Sequence, residues 1–256
     1  MDAAELYAAN AVAMWASLAP LARPVPGPAG VSVIDIPVQR TTRIILRRRR
    51  AARPGQLDEL LAAAGPRGRV VGEDSFGDLV LPPARDITVD RMPLMLRPAG
   101  DPGPRETAVG IQVVRAAGRG ALAEAERVIV DGFPRPALQP YRPGRMLPPQ
   151  ALLVPGWRTW LAYRGAEPAA ACCAYDDGAA LGIYWLAALP RYRSLGLGRA
   201  VMFAALAADP ERPAVLVATA AGERLYASLG FAAVSEAAWY RIPGPRRGGE
   251  APGRRR

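Results

Sequence analysis

The sequence contains no lysine and no histidine, and its only two cysteines are adjacent. Each absence removes a chemistry. Without histidine, a Ser-His-Asp or Cys-His hydrolase is excluded, so a general base must be a carboxylate, a tyrosine, a terminal amine or ordered water. Without lysine, the phosphate loop G-x-x-x-x-G-K-[ST] cannot exist. Cys172 and Cys173, being neighbours, offer neither a disulfide framework nor a zinc site, and no metal is expected. They read as small apolar residues in a reducing compartment. No run of about 18 apolar residues occurs, so no membrane span is expected. Asp2 and Glu5 precede an apolar helical pattern with no basic leader, which argues against a secretory signal and leaves the cytoplasm as the default.

The 256 residues suffice for one large domain or two small ones, and with 50% hydrophobic residues a sizeable core is expected. The formal charge of +10 is carried wholly by arginine. That bias reads as GC-rich coding rather than a nucleic-acid role, and much of it is local, in Arg47–Arg50 and the tail Arg246–Arg256.

Along the chain, residues 3–18 place Tyr7, Ala11, Met14, Trp15 and Leu18 on one helical face. A proline-rich linker, Pro24–Pro28, follows. Val31–Val38 and Thr42–Arg47 read as strands, Gln56–Ala64 as a helix closed by Gly65, and Val70–Leu81 and Met92–Leu96 as short strands. Glu73 and Asp74 are expected in a solvated turn. Residues 99–108 have linker composition and mark a boundary between an N-terminal lobe, 1–98, and a second domain, 109–242. That domain begins with a strand (Ile111–Arg115) and a helix (Arg119–Val130), then a proline-dense irregular stretch (Pro134–Pro155) suited to a substrate-facing loop. A meander of three strands (Arg158–Tyr163, Pro168–Tyr175, Leu181–Leu189) leads to a buried helix (Leu195–Ala208), a strand (Ala214–Thr219), a helix (Glu223–Leu229) and closing strands to Ile242. Residues 243–256 form a basic Gly/Pro/Arg tail expected to be disordered.

The informative stretch is Leu181–Phe231. Its apolar strand ends at Pro190, and the turn Arg193-Ser-Leu-Gly196-Leu-Gly198 opens the next helix. A first helical turn stripped of side chains presents free N–H groups and the positive dipole end to an anion, so a phosphorylated ligand is expected there. A dinucleotide fingerprint is excluded, because Val201 stands where the third glycine belongs and Thr219 lies near the place of the acidic ribose ligand.

This turn, followed by Leu225-Tyr226-Ala-Ser-Leu-Gly230-Phe231, resembles the GNAT superfamily of N-acetyltransferases over about residues 109–242. The first segment is similar to the family's Q/R-x-x-G-x-G/A turn and the second to its L-Y-x-x-L-G-F segment. The resemblance implies an α/β (α+β) fold: a mixed, largely antiparallel sheet with flanking helices, here with a smaller N-terminal α/β lobe that is a degenerate copy or a family-specific addition. It implies that the pyrophosphate of acetyl-CoA lies on backbone N–H groups of Ser194, Leu195, Gly196, Leu197, Gly198 and Arg199, with Arg193 or Arg199 adding charge. The pantetheine arm would pair with Ala187 and Ala188, and Tyr226 would protonate the departing thiolate. The acceptor is then a primary amine of a small molecule or a protein. The strand Leu181–Leu189 lacks the glutamate that relatives often use as base, leaving Tyr184, Trp185, a water relay, or Asp176 and Asp177. Thr219 stands where many relatives carry asparagine. These two departures motivate the alternative, a catalytically weak acetyl-CoA-binding regulatory pseudo-enzyme. Trp157, Trp160, Trp185 and Trp239 either line an acceptor pocket or pack in the core.

Overall fold

The structure, a computed structural model, describes residues 2–19, 21–50, 55–65, 68–79, 86–103, 109–133 and 138–243. The tail from residue 244 and part of the proposed linker, 104–108, lie outside these. Helix α1 (Ala3–Ser17) starts on a capping box in which Asp2 accepts from the Glu5 amide at 2.8 Å. Strands β1 (Arg23–Val25), β2 (Val31–Ile36) and β3 (Thr41–Leu46) follow, then α2 (Gln56–Ala64), β4 (Arg69–Asp74) and β5 (Thr88–Arg97). The second half comprises β6 (Ile111–Arg115), α3 (Arg119–Gly132), β7 (Trp157–Arg164), β8 (Glu167–Asp176), β9 (Leu181–Ala188), α4 (Leu197–Ala207), β10 (Ala214–Val217), α5 (Glu223–Ala227) and β11 (Ala232–Ile242).

The eleven strands among the described residues form one sheet in the order β1-β2-β3-β4-β11-β5-β10-β9-β8-β7-β6. Every neighbouring pair is antiparallel except β3/β4 and β9/β10, each joined by a helical crossover. Read outward from the central β11/β5 pair, the two sides repeat one plan. A helix precedes a three-strand meander, and a second helix then returns the chain to a parallel strand. The closing strands are exchanged: β5 lies against β10 of the second half, and β11 against β4 of the first. Helices α1 and α3 pack into one core on one side of the sheet; α4 and α5 pack into a second core on the other.

Most expected elements are present, with three differences of consequence. Residues Arg23–Val25 within the proline-rich stretch form an edge strand, a place where proline's missing N–H is tolerated. The two expected closing strands are one bulged strand, β11. Glu73 and Asp74 are not in a solvated turn: they end β4 and are 2% and 1% exposed. Asp74 accepts from the amides of Phe76, Gly77 and Leu79, each at 2.9 Å, and Glu73 forms an ion pair with Arg43. Glu73 meets a partner remote in sequence, whereas Asp74 is held by amides of the turn that directly follows it.

Four donors of the proline-dense segment after α3 converge on one carboxylate. Glu126, 1% exposed on α3, accepts from the amides of Gly144 (2.7 Å), Met146 (2.7 Å) and Leu147 (3.1 Å), and from the Tyr141 hydroxyl (3.3 Å). Glu126→Ala strands these donors, of which the Met146 and Leu147 amides are buried. It should lower the unfolding free energy by roughly 3 kcal/mol or more. Denaturant midpoints measure this, and a loss below about 1 kcal/mol would show that the loop does not depend on Glu126.

Candidate active site

The site is built where β9 breaks the regular ladder. Its register against β8 shifts between Ala171 and Cys173, and Trp185 adopts φ 54°, a left-handed value that a bulky residue rarely takes. As a result Tyr184 and Trp185, although consecutive, both face the α1/α3 core, whereas Leu186 and Ala188 face the α4 core. Parallel pairing with β10 stops after Leu181–Ala214 and Gly182–Val215. From Ile183 onward the two strands diverge, and the β9 edge toward β10 has no ladder partner. Ala187 and Ala188 end that free edge.

Helix α4 begins at the mouth of this opening. Ser194 (φ 60°) and Gly196 (φ 83°) are left-handed, and the first bond of the helix is Ala200 N–H to Gly196 O at 3.0 Å. The amides of Leu197, Gly198 and Arg199 precede it and are free of intrahelical partners. The turn is exposed, and a Cβ on Gly198 would only touch Leu225 Cδ2 at 3.4 Å. Arg193 folds back, donating from Nε to Ala188 O at 3.4 Å and from Nη2 to Gly132 O at 3.1 Å. Arg199 donates from Nη1 to Ser228 Oγ at 2.8 Å, tying the first turn of α4 to the end of α5. Beside it lies a cavity of about 560 Å³, bordered by Arg97, Arg199, Phe203 and Ser228.

The structure therefore brings the turn, the end of β9 and α5 together. Tyr226, on α5, is more buried than an amphipathic surface residue. It packs edge-on against Phe231, and its ring presses on Gly222, where a Cβ would lie 2.7 Å from Tyr226 Cε2. Its hydroxyl has no hydrogen-bond partner among the described residues, and burial, then the Cys172 thiol, push its pKa upward.

The alternatives for a base fare differently. Asp176 and Asp177 cap the turn at the far end of β9, accepting from Gly178, Ala179 and Ala180 amides. The Tyr184 hydroxyl donates to Asn10 Oδ1 at 2.6 Å, while Asn10 Nδ2 donates to Ala180 O at 3.0 Å and Tyr175 O at 3.2 Å. Burial raises the Tyr184 pKa well above the ordinary value, so it stays protonated.

On the opposite face a cavity of about 630 Å³ adjoins the opening. Phe133, just beyond the Gly132 that packs on Ala187, borders it from one side, and Thr219 and Ala220, just beyond β10, from the other. Its floor comes from the first half and β11: Arg43, Arg69, Arg91, Trp239 and Arg241. Of the four tryptophans weighed as an acceptor pocket, only Trp239 lines this cavity; Trp157 and Trp185 pack together with Trp15. The lining arginines were not singled out from the sequence. Arg43 did carry a signal, a lone charge inside the apolar β-branched run Thr41–Leu46.

Residues 155–233 match the family model described as acetyltransferase (GNAT) domain. This part of the chain is a GNAT domain. The whole architecture is similar to solved structures of that name. A GCN5-related N-acetyltransferase from Kribbella flavida superposes with TM-score 0.66 at 18% identity, covering 94% of this chain and 96% of that one. A putative GNAT-family acetyltransferase from Novosphingobium aromaticivorans gives 0.57 at 17% identity, covering 94% and 99%. A tandem GNAT protein from the clavulanic acid biosynthesis pathway gives 0.55 at 15%, covering 95% and 97%. No curated protein matches the sequence. The GNAT fold supports acetyl transfer in general, and the family uses acetyl-CoA. Among the described residues no group of His, Cys, Asp and Glu is arranged to hold a metal ion, and no helix is long and apolar enough to cross a membrane.

Proposed function

We propose that the chain is an acetyl-CoA-dependent N-acetyltransferase that acetylates a primary amine. The observation that carries this reading is the opening between β9 and β10 with the unsubstituted first turn of α4 at its mouth. The amides of Ser194 to Arg199 hold the pyrophosphate, with Gly196 supplying the left-handed cap and Gly198 the close approach. The free edge of Ala187 and Ala188 pairs with the pantetheine amides as an added strand would, after Arg193 releases Ala188 O. In the transfer the amine nitrogen bonds to the thioester carbonyl carbon and the C–S bond breaks. The proton lost by nitrogen passes to solvent, and the thiolate takes the Tyr226 proton, which solvent restores.

The N-terminal lobe is, on this reading, a degenerate copy of the same domain that holds no cofactor. Its crossover helix α2 starts on Gly55 with φ 76° and ψ −5°, nearly the 83° and −5° of Gly196. But Leu57 occupies the place of Gly198, and Asp58 and Glu59 sit in the first turn, where they repel phosphate. The regulatory pseudo-enzyme reading is favoured by one observation, the absence of any carboxylate on β9.

Calorimetry with acetyl-CoA should give one site per chain, and thiol release over a panel of primary amines should show turnover. No binding at millimolar acetyl-CoA would sink both readings; binding without turnover on any amine would favour the pseudo-enzyme. A second site per chain would refute the degenerate N-terminal lobe.

A further inference from the structure

Given the acyl-transfer reading, the geometry points to an acceptor that carries an anionic group, a carboxylate or a phosphate monoester, as well as its amine, with Arg43, Arg69 and Arg241 seating that group. Arg43 lies in the middle of β3, is 9% exposed and lines the cavity of about 630 Å³. Its guanidinium stacks on Trp15 at 4.4 Å and lies 5.8 Å from Trp239. Nη1 is held by Glu73, yet Nε is buried and has no hydrogen-bond partner among the described residues. The ion pair with Glu73 thus leaves one donor of Arg43 unmet in the wall of the cavity.

The arginines around the cavity are not all paired. Arg91 pairs with Glu236 at 2.7 Å and Arg241 with Asp90 at 2.6 Å. Arg69 has no carboxylate partner among the described residues, and its Nη2 donates only to Thr41 Oγ1 at 3.3 Å. Arg43 and Arg241 both act on it electrostatically. Among the described residues three of these arginines are in ion pairs, with Glu73, Glu236 and Asp90, and Asp74 also acts on Arg91, whereas Arg69 has no carboxylate. A ligand anion would pair with Arg69 and take the fork of donors that Arg presents to carboxylate or phosphate. Polyamines and other purely cationic acceptors would meet repulsion. The cavity volume is that of a small-molecule site. Its arginines sit on the first half and on β11, while Phe133 and Thr219 sit beside the β9/β10 opening. An acceptor anchored by its anion would thus direct its amine toward the thioester. The N-terminal lobe, on this account, is the acceptor-binding half of the enzyme.

The test uses the full chain and four probes: 4-aminobutyrate, O-phosphoethanolamine, 4-aminobutyramide and putrescine. Each is titrated without acetyl-CoA, by calorimetry and by the tryptophan fluorescence that Trp15 and Trp239 should report. The two acidic amines should bind at least 10-fold more tightly than the amide and the diamine, and the tighter of the two identifies the anion. Arg69→Gln, on an exposed side chain, should weaken the acids about 10-fold and leave the amide unchanged. Arg43→Gln should weaken them further. Because that change leaves Glu73 unpaired, the double variant Arg43→Gln/Glu73→Gln should recover the melting temperature without recovering acid binding. Equal binding of acid and amide, no binding of either acid, or preference for putrescine overturns the inference. The outcome is separable from the acyl-transfer reading: loss of acetyl-CoA binding removes that reading, whereas indifference to the acids with acetyl-CoA binding intact removes only this one.

Discussion

Gly198→Glu should abolish measurable acetyl-CoA binding while leaving the protein folded and slightly more stable. The two effects have opposite signs because they act on different things. Position 198 is in the first turn of α4, where replacing glycine by a better helix former gains roughly 0.5–1 kcal/mol. An acidic side chain near a helix N-terminus gains roughly a further 0.3–1 kcal/mol. The new Cβ meets only Leu225 Cδ2 at 3.4 Å, an ordinary contact, so no backbone shift is required. The same carboxylate, however, occupies the amides of Leu197 to Arg199 and repels the pyrophosphate. A loss of at least 100-fold in affinity, about 2.7 kcal/mol, is expected. Gly198→Ala, which adds the Cβ without the charge, should change affinity by less than about 5-fold. Calorimetric titration beside thermal unfolding reads both effects. Unchanged affinity in a folded glutamate variant would place the phosphates elsewhere.

The turn and helix start proposed to hold the cofactor were legible as local structure because they lie in a few consecutive residues. Arg193–Gly198 and Leu225–Phe231 each combine turn, helix start and side chain in a few consecutive residues, and the structure keeps α4 and α5 in contact through Arg199 and Ser228. Helix α2 was likewise readable to the residue, because Gly65 ends it. The cavity proposed for the acceptor was not legible, since its parts meet only through the sheet. Arg43 and Glu73 are thirty residues apart and pair because β3 and β4 run parallel. Trp239 reaches Arg43 because β11 crosses into the first half. The bulge at Trp185 left no mark in the apolar run of β9, as tyrosine and tryptophan suit a regular strand equally well. Glu126 illustrates the same limit: in sequence it looks no different from Glu124, an exposed acid of the same helix, until the loop that it holds is known.

Strand exchange also explains why two halves of unequal chemistry stay together. β5 lies between β11 and β10, so residues 88–97 complete the sheet of the GNAT domain although they precede its first strand. Asn10 adds a second tie, fully buried and bonded to β8, to Ala180 and to β9. A Cβ on Gly182 would approach Asn10 Oδ1 to 1.9 Å, so this glycine is what lets α1 seat directly over the strand that carries the opening. On the proposed reading, the N-terminal lobe holds no cofactor of its own and contributes the floor on which an acceptor would rest.

Tyr226→Phe should lower kcat by about 100-fold, within the range that a positioned general acid contributes, with the KM for acetyl-CoA unchanged. The substitution is unusually clean. The hydroxyl has no hydrogen-bond partner among the described residues, so phenylalanine breaks no bond in the protein. The ring keeps its contacts with Phe231 and Gly222. Melting temperatures should agree within a degree or two, or favour the variant. The direction of the pKa shift fixes the pH behaviour. Burial raises the Tyr226 pKa above the ordinary 10.0, so the hydroxyl stays protonated throughout the neutral and mildly alkaline range and remains able to donate. The rate in the wild type should therefore rise with pH as the acceptor amine loses its proton, with no fall below about pH 10 from loss of the acid. In the phenylalanine variant the same rise should persist at a lower plateau, because the amine's titration is untouched. Turnover undiminished in the variant, in a protein that still binds acetyl-CoA, would show that the thiolate takes its proton from solvent and that Tyr226 only packs the second core.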